Sequence, residues 1–386
     1  MIWRLYNKFV DIAGCFVSKK RTNFSFPSRQ IWIHCASIGE LSAAMPVIQR
    51  LESVWITVTS KNGLSALRTL NLDGSLAPLD APKLIDKAIE QLNSRFFLLV
   101  ENEFWPNLCN SIVLRGIPFA VVNLALRDAG ILRRLFLNMK LNFYRQARFL
   151  QCQNDSVSDL LCRFGCDPAR ILPSVNLKIA REAKINQKFD EFLQELTVRF
   201  QRVITLASFR LREAKVLIPV LAKLLGEFSD LCCVVIPRYL EETREVKKLV
   251  STHISSSVIY PSDNFNFKGL SSRLIIVNQF GLVQTAVKNS WFYLVGGTFC
   301  RGIGGHNPVE GAFCGVPGIA GWDDGKILDM RGLYYSITEP SKIYACLRRF
   351  LLDRFCLREV SQNLINARKK AEEVVTKIVS EVKKIV

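Results

Sequence analysis

Histidine is almost missing from this chain: His34, His253 and His306 are the only three in 386 residues. Zinc sites draw on His and Cys at close spacing. Three scattered histidines, with 12 cysteines that form no C-x-x-C pair, therefore argue against a structural metal. The cysteines fall in apolar runs such as "LCCVVIP" and read as reduced, buried thiols of a cytosolic protein. Also absent is an ordered aromatic platform of the kind that reads RNA bases. Negative charge is in short supply: 34 Asp and Glu against 52 Lys and Arg leave a formal net charge of +18, which suits an anionic partner. Charge alone does not choose among nucleic acid, anionic lipid and a phosphorylated substrate.

What is present is ample apolar material. A hydrophobic share of 49% against 22% charged residues supports large cores and about two domains. Short apolar runs, "WIHCASIGE", "VWITVTS", "RFFLLVENEFW", "PFAVVNL" and "RFLQCQN", alternate with stretches long enough for helices. That rhythm predicts a parallel α/β sheet. Beyond residue 180 the charged amphipathic segment "KINQKFDEFLQELTVRFQ" intervenes. A second series then begins with "RVITLAS", "LCCVVIPR", "SSVIY", "RLIIVNQF" and "WFYLVGG". The expectation is two Rossmann-like domains facing across a cleft, at 26–180 and 181–386, the latter ending in the helical "LINARKKAEEVVTKIVSEVKKIV".

Residues 1–25 form a further segment, in which Ile2, Leu5, Phe9, Ile12 and Phe16 share a helical stripe while Arg4, Lys8 and Asp11 interrupt the run. It is too short and too charged to span a bilayer, which takes roughly 20 mostly apolar residues. An interfacial helix with Lys19, Lys20 and Arg21 facing lipid headgroups fits, as does a helix docked on its own domain. Residues 131–148, where Arg133, Arg134, Lys140, Arg145 and Arg148 are interleaved with Leu, Phe, Met and Tyr, suit an anionic amphiphilic surface or an ordinary amphipathic helix.

In open α/β sheets ligands bind beyond the carboxyl ends of strands. Glu40 stands just after such a strand, at the start of a helix, where a carboxylate complements the helix dipole and where strand ends meet a ligand. The segment "VGGTFCRGIGGHNPVEGAFCGVPGIAG", 295–321, follows another strand with two glycine pairs. Pro308 is well placed to open a helix there, whose free N–H groups would cradle a phosphate. Plain turn chemistry is the other reading of such a loop.

Six motifs, "WIHCASIGE", "ENEFWPN", "SVNLKI", "VIPR", "FGL" and "GGTFCRGIGGHNPVE", occur in that order over about residues 30–320. As an ordered set they closely resemble the lipid A 3-deoxy-D-manno-octulosonic acid (Kdo) transferase family of Gram-negative bacteria. The resemblance implies a metal-independent inverting glycosyltransferase of GT-B architecture without a cofactor. Its donor would be CMP-Kdo, its acceptor the lipid A precursor lipid IVA, and its place the cytoplasmic face of the inner membrane, against an anionic surface and with no nucleic acid. Carried over by motif, the general base falls on Glu40, and transition-state stabilisers on Glu101 and Lys178. Donor contacts fall on Pro237 and Arg238, on Phe280, Gly281 and Leu282, and on Asn307, Pro308, Val309 and Glu310. Ser208 marks a strand-to-helix turn near the phosphate. Solvated surface positions are the plain alternative for Lys178 and Arg238.

The chain also departs from the family pattern. Relatives usually carry "ASTHEGE" where this chain has "ASFRLRE", which places Phe209 and Arg210 at the Thr-His pair and keeps Ser208 and Glu213. Tyr239 stands where a histidine usually follows "PR", and an aspartate often found soon after "NLK" is absent, with Ala180 nearby. Two other readings stay open from sequence: a noncatalytic protein of the same fold on anionic membrane, and a GT-B enzyme using another nucleotide sugar.

Overall fold

Aromatic and β-branched runs become strands because their side chains fill a pleated surface, and runs apolar on both faces become buried parallel strands. The structure, a computed structural model, describes residues 6, 10, 21–125, 137–259, 272–302, 309–321 and 332–386. It divides into two compact units, Met1–Arg181 with Lys370–Val386, and Glu182–Lys369.

The first unit is built on β1 (Ile31–His34), β2 (Val54–Val58), β3 (Gly74–Leu76), β4 (Phe96–Val100), β5 (Phe119–Leu124), β6 (Phe149–Cys152) and β7 (Ile171–Leu172). All seven are parallel, in the order β3-β2-β1-β4-β5-β6-β7. Strand order therefore reverses between β1 and β4, the switch point at which doubly wound sheets open a crevice. Trp32, Phe97, Leu99, Val121 and Leu150 form one core face with Leu108 and Ile112 of the helix Pro106–Leu114.

The second unit repeats the plan with β8 (Arg202–Phe209), β9 (Leu231–Pro237), β10 (Ser257–Ile259), β11 (Leu274–Val277), β12 (Tyr293–Val295), β13 (Gly318–Ala320) and β14 (Tyr334–Ser336), ordered β10-β11-β9-β8-β12-β13-β14. Its switch point lies between β8 and β12. Ile204, Leu206, Leu217, Leu221, Val235, Ile276 and Leu294 pack together on one side of this sheet.

Three expectations change here. The last helix, Arg358–Lys383, does not stay with the second unit: from Lys370 onward it belongs to the first. There Arg50 Nη2 pairs with Glu372 Oε2 at 2.6 Å and Arg95 Nη1 reaches the Val386 carbonyl at 3.4 Å. The helix foreseen at Pro308 is not formed over the described residues. Val309–Gly315 make successive turns instead, closed by Ala312 N–H to the Val309 carbonyl and Cys314 N–H to the Gly311 carbonyl. A Cβ at Gly311 would collide with the Val316 carbonyl, so this segment folds back too tightly for a helix.

The third concerns the basic segments. Arg21 does not face outward: its Nε donates to the Ala77 carbonyl at 2.8 Å and its Nη2 to the Pro78 carbonyl at 3.3 Å. Tyr6 Oη likewise donates to Asp80 Oδ2 at 2.7 Å and Val10 is buried. Lys140 donates to the Asn102 carbonyl at 3.1 Å, and Arg145 Nε to the Phe164 carbonyl at 2.9 Å. Lys19, Lys20, Arg133 and Arg134 lie outside the described residues. Among those described, no helix is long and apolar enough to cross a membrane. Cys35, Cys109, Cys152, Cys166, Cys232 and Cys233 are buried free thiols, while Cys314 is exposed.

The second switch point is held by one carboxylate. Glu213, fully buried in the first turn of the helix Leu211–Glu227, accepts from Arg210 N at 3.0 Å, Gly297 N at 2.7 Å and Phe299 N at 2.9 Å. It thereby ties the end of β8 to the glycine turn after β12. Glu213→Ala would leave three backbone donors without an acceptor; at about 1 kcal/mol or more for each unpaired buried group, chemical denaturation should show this unit destabilised by roughly 2–4 kcal/mol.

Candidate active site

The helix Ile38–Ile48 begins with Ser37 as its cap, the hydroxyl accepting from Glu40 N at 3.2 Å. Glu40 turns back toward the strand, and its Oε2 accepts from Ala36 N. A hydrophilic side chain is thus folded into the loop it leaves, only 7% exposed. Burial, then the nearby Glu103 carboxylate and more weakly Glu101, push its pKa up to about 7 against the opposing pull of the Ala36 N–H. Oε1 has no protein partner among the described residues, so the group keeps one lone-pair face for a ligand while the other is fixed.

Across the switch point β4 runs directly into Glu101, at φ 58°, and β5 reaches Asn123 at φ 54°. Glu101 has no local reason for the left-handed region, where a non-glycine residue costs of order 1–3 kcal/mol and persists only if its surroundings dictate it. Here they do: Glu101 N donates to the Val122 carbonyl at 2.9 Å, and its Oε1 takes Lys178 Nζ at 3.0 Å and Asn123 Nδ2 at 3.2 Å. Lys178 lies in the short 3-10 turn Leu177–Ala180, capped by Asn176 Oδ1 accepting from Lys178 N at 3.1 Å. A Cβ on Gly39 would sit 3.8 Å from Lys178 Nζ, so the ammonium lies over the backbone just before Glu40. The first unit therefore brings together all three residues that the motifs singled out in it.

Four neighbours were not singled out from sequence. Glu103 raises the Glu40 pKa, and its Oε2 accepts from Trp105 Nε1 at 3.0 Å. Asn123 and Gln151 are fully buried polar residues in β5 and β6, joined by Asn123 N–H to Gln151 Oε1 at 2.9 Å. The only local sign of them is an amide inside an otherwise apolar run. His34, at the end of β1, is also buried, its Nδ1 2.9 Å from Thr57 Oγ1; burial holds its pKa down to about 3, so it stays neutral at physiological pH and is no acid–base group there.

In the second unit Ser208, the last residue but one of β8, stands at φ 54°, and a Cβ on Gly296 would collide with the Ala207 and Ser208 carbonyls, so only glycine lets these chain turns approach. The start of the following helix is less open to an anion than expected. Arg210 N and Leu211 N already meet the carboxylates of Glu213 and Glu242 at 3.0 and 3.1 Å. Pro237 is buried at the end of β9, and the exposed Arg238 donates its N–H to the Phe209 carbonyl at 2.8 Å. Phe280 is 68% exposed beside Gly281, at φ 83°, whereas Leu282 is buried. Gln284 Nε2 donates to Glu310 Oε2 at 3.2 Å, which joins the "FGL" segment to the turn carrying Val309 and Glu310. Asn307 and Pro308 lie outside the described residues. The departures Arg210 and Tyr239 form one contact, the guanidinium carbon 4.5 Å from the centre of the phenol ring. No three His, Cys, Asp or Glu side chains are grouped as metal ligands among the described residues.

Two doubly wound units with these switch points place the chain in the GT-B fold class. The UDP-GlcNAc 2-epimerase from Neisseria meningitidis superposes with a TM-score of 0.63 over 91% of this chain and 99% of that one, at 11% identity. The family model described as 3-deoxy-D-manno-octulosonic-acid transferase (kdotransferase) matches residues 13–181. The 3-deoxy-D-manno-octulosonic acid transferase of Aquifex aeolicus is 25% identical over 308 residues, 78% of each chain. A bifunctional glycosyltransferase/methyltransferase of Fusobacterium nucleatum is 24% identical over 296 residues, which are 73% of this chain and 46% of that protein. The chain thus spans less than half the length of that relative. It is similar to 3-deoxy-D-manno-octulosonic-acid transferases, most directly over residues 13–181, and its fold is that of the GT-B class.

Because its pKa is raised, Glu40 binds its proton more tightly in the folded protein than in the unfolded chain. That contribution to stability is fully present below about 4.5, the ordinary glutamate value, and is lost as pH rises towards 7. Urea denaturation of Glu40→Gln should lack this decline, so the gap in stability between the variant and the wild type should widen in the variant's favour from pH 4.5 to 7.

Proposed function

We propose that the protein transfers Kdo from CMP-Kdo to lipid IVA by inverting displacement, with Glu40 as general base. The observation that carries this reading is the Glu40 carboxylate, buried, poised near pH 7, anchored through Oε2 and open at Oε1. In the reaction a primary hydroxyl of the distal glucosamine would give its proton to Oε1 as its oxygen bonds to the anomeric carbon of Kdo. The bond from that carbon to the CMP phosphate breaks, and the electron pair leaves with CMP. Base catalysis of this kind contributes about two to four orders of magnitude in rate.

The Lys178 ammonium, held by Glu101 at 3.0 Å, supplies a fixed cation for the Kdo carboxylate or the departing phosphate. Donor contacts come from the second unit: Ser208, Pro237, Arg238, Phe280, Gly281 and Leu282, with Asn307, Pro308, Val309 and Glu310. Arg238 matches a phosphate or a cytosine edge. No metal or other cofactor takes part, and the formal charge of +18 supports work on an anionic surface, the cytoplasmic face of the bacterial inner membrane. The Arg210–Tyr239 contact favours one second reading, transfer from another nucleotide sugar, because a guanidinium stacked on a phenol stands where the family pattern carries two histidines on the donor side.

The test is to incubate the protein with CMP-Kdo and tetraacylated lipid IVA, with and without chelator, following CMP release and lipid product. Chelator-resistant transfer is expected, and Glu40→Gln should lower kcat by about 10²-fold or more while CMP binding is retained. Full activity in Glu40→Gln would sink the mechanism. CMP release only from a different nucleotide sugar would move the assignment to the second reading. With the wild type, kcat/KM should rise with pH to a plateau with its midpoint near 7. Glu103→Gln removes the negative charge that acts most on Glu40 and should move that midpoint to lower pH; an unmoved midpoint would separate Glu40 from the ionisation that limits the reaction.

A further inference from the structure

Through a single amide Asn123 touches Glu101 and the backbone one residue before Lys178. Its Nδ2 donates to Glu101 Oε1 at 3.2 Å, the same oxygen that takes Lys178 Nζ. Its Oδ1 accepts from Leu177 N at 2.9 Å, one residue before Lys178, and so sets where the lysine leaves the chain. The backbone of Asn123 is held as firmly: its N–H meets Gln151 Oε1 at 2.9 Å and its carbonyl takes Gln153 Nε2 at 3.1 Å. Gln151 is in turn tied through Nε2 to the Val175 carbonyl at 2.8 Å, upstream of the same lysine. The left-handed backbone of Asn123 coincides with the shift of register between β5 and β6, from Val121 opposite Leu150 to Leu124 opposite Cys152. Asparagine is among the few non-glycine residues that visit this region readily.

We propose that Asn123 is the positioning residue of the Glu101–Lys178 pair: its amide fixes the carboxylate and the point where the lysine leaves the chain, and Gln151 fixes the backbone that carries the amide. This rests on the transferase reading above for its catalytic consequence but not for its geometry. An amide suits the task because one group donates to a carboxylate and accepts from a backbone N–H without adding charge. An ammonium left to roam at the end of four methylenes would hold no fixed place relative to a reacting phosphate, and misplacement by about 1 Å costs on the order of 10²-fold in rate.

Two variants test this. Asn123→Gly keeps the backbone conformation and removes the amide. Asn123→Asp keeps the shape and the acceptor for Leu177 N but sets a carboxylate against Glu101. Transfer from CMP-Kdo is measured with saturating lipid acceptor, and the exposure of Lys178 is read separately by its acetylation with acetic anhydride, quantified by mass spectrometry. The expected result for Asn123→Gly is kcat lower by about 10²-fold with KM for CMP-Kdo within about threefold, together with faster acetylation of Lys178. For Asn123→Asp the ratio of its kcat to that of the wild type should rise as pH is lowered, because the introduced carboxyl regains a donor for Glu101 once it is protonated; for Asn123→Gly that ratio should stay flat. Wild-type kcat and unchanged Lys178 labelling in both variants, with only a loss of thermal stability, would overturn the proposal. If the wild type transfers no Kdo, the transferase reading fails by itself. The labelling then decides for Asn123: faster modification in Asn123→Gly supports positioning, and an unchanged rate overturns it.

Discussion

Parallel pairing of β1 with β4, from Ile31 opposite Phe96 to His34 opposite Leu99, is the constraint on which the rest of the first unit's site depends. β2 occupies the other edge of β1, so the chains leaving β1 and β4 turn away on opposite courses and leave their ends uncovered between them. Glu40 and Glu101 are the residues those two ends present. A slip of one residue in the pairing would exchange the faces on which alternate side chains point, and would carry the carboxylates away from each other. The tightly buried run Ile31 to His34 against Phe96 to Leu99 is what resists that slip, since both faces are covered by apolar contacts. Apolar packing thus sets the position of polar chemistry.

Glu40 stands at a helix start and is enclosed at the same time, and the two features pull on its proton in opposite directions. As a member of the helix's first turn it sits behind the Ser37 cap and gives an acceptor to Ala36 N. That bond steadies the ionised form, while burial and the neighbouring carboxylates oppose it, burial most of all. The balance is a carboxylate that changes protonation near neutrality instead of near its ordinary value. A carboxylate serving only the helix end would be solvated and acidic; the enclosure is what sets this one apart, and it is the basis of the base role proposed for it.

The basic residues follow the opposite pattern. Several that read as a surface for anions are engaged within the protein, Arg21 on the Ala77 and Pro78 carbonyls and Lys140 on Asn102. Long cationic chains can reach backbone acceptors that no local rule identifies, because the acceptor comes from a different element. The departures at Arg210 and Tyr239 show the same principle: separated by 29 positions in the chain, they meet because β8 and β9 pair with Phe209 opposite Pro237.

By itself the sequence determined the strands with long apolar runs, the repetition of the α/β plan, and the motif residues Glu40, Glu101 and Lys178. The strands and the repeated plan rest on local composition and spacing, which a short window carries, whereas the three motif residues rest on the resemblance of an ordered set of motifs. It did not disclose β3, β7, β13 and β14, whose two or three residues, some of them glycine, form strands only because a neighbouring edge offers hydrogen bonds. Nor did it separate the end of the last helix from the second unit, or show that the segment Val309–Gly315 turns where a helix start was expected. Asn123, Gln151 and Glu103 were likewise decided by tertiary structure. Each acts on a residue brought close by the sheet order, and hydrogen bonds and charge effects of that kind depend on distance in space, which residue spacing along the chain does not encode.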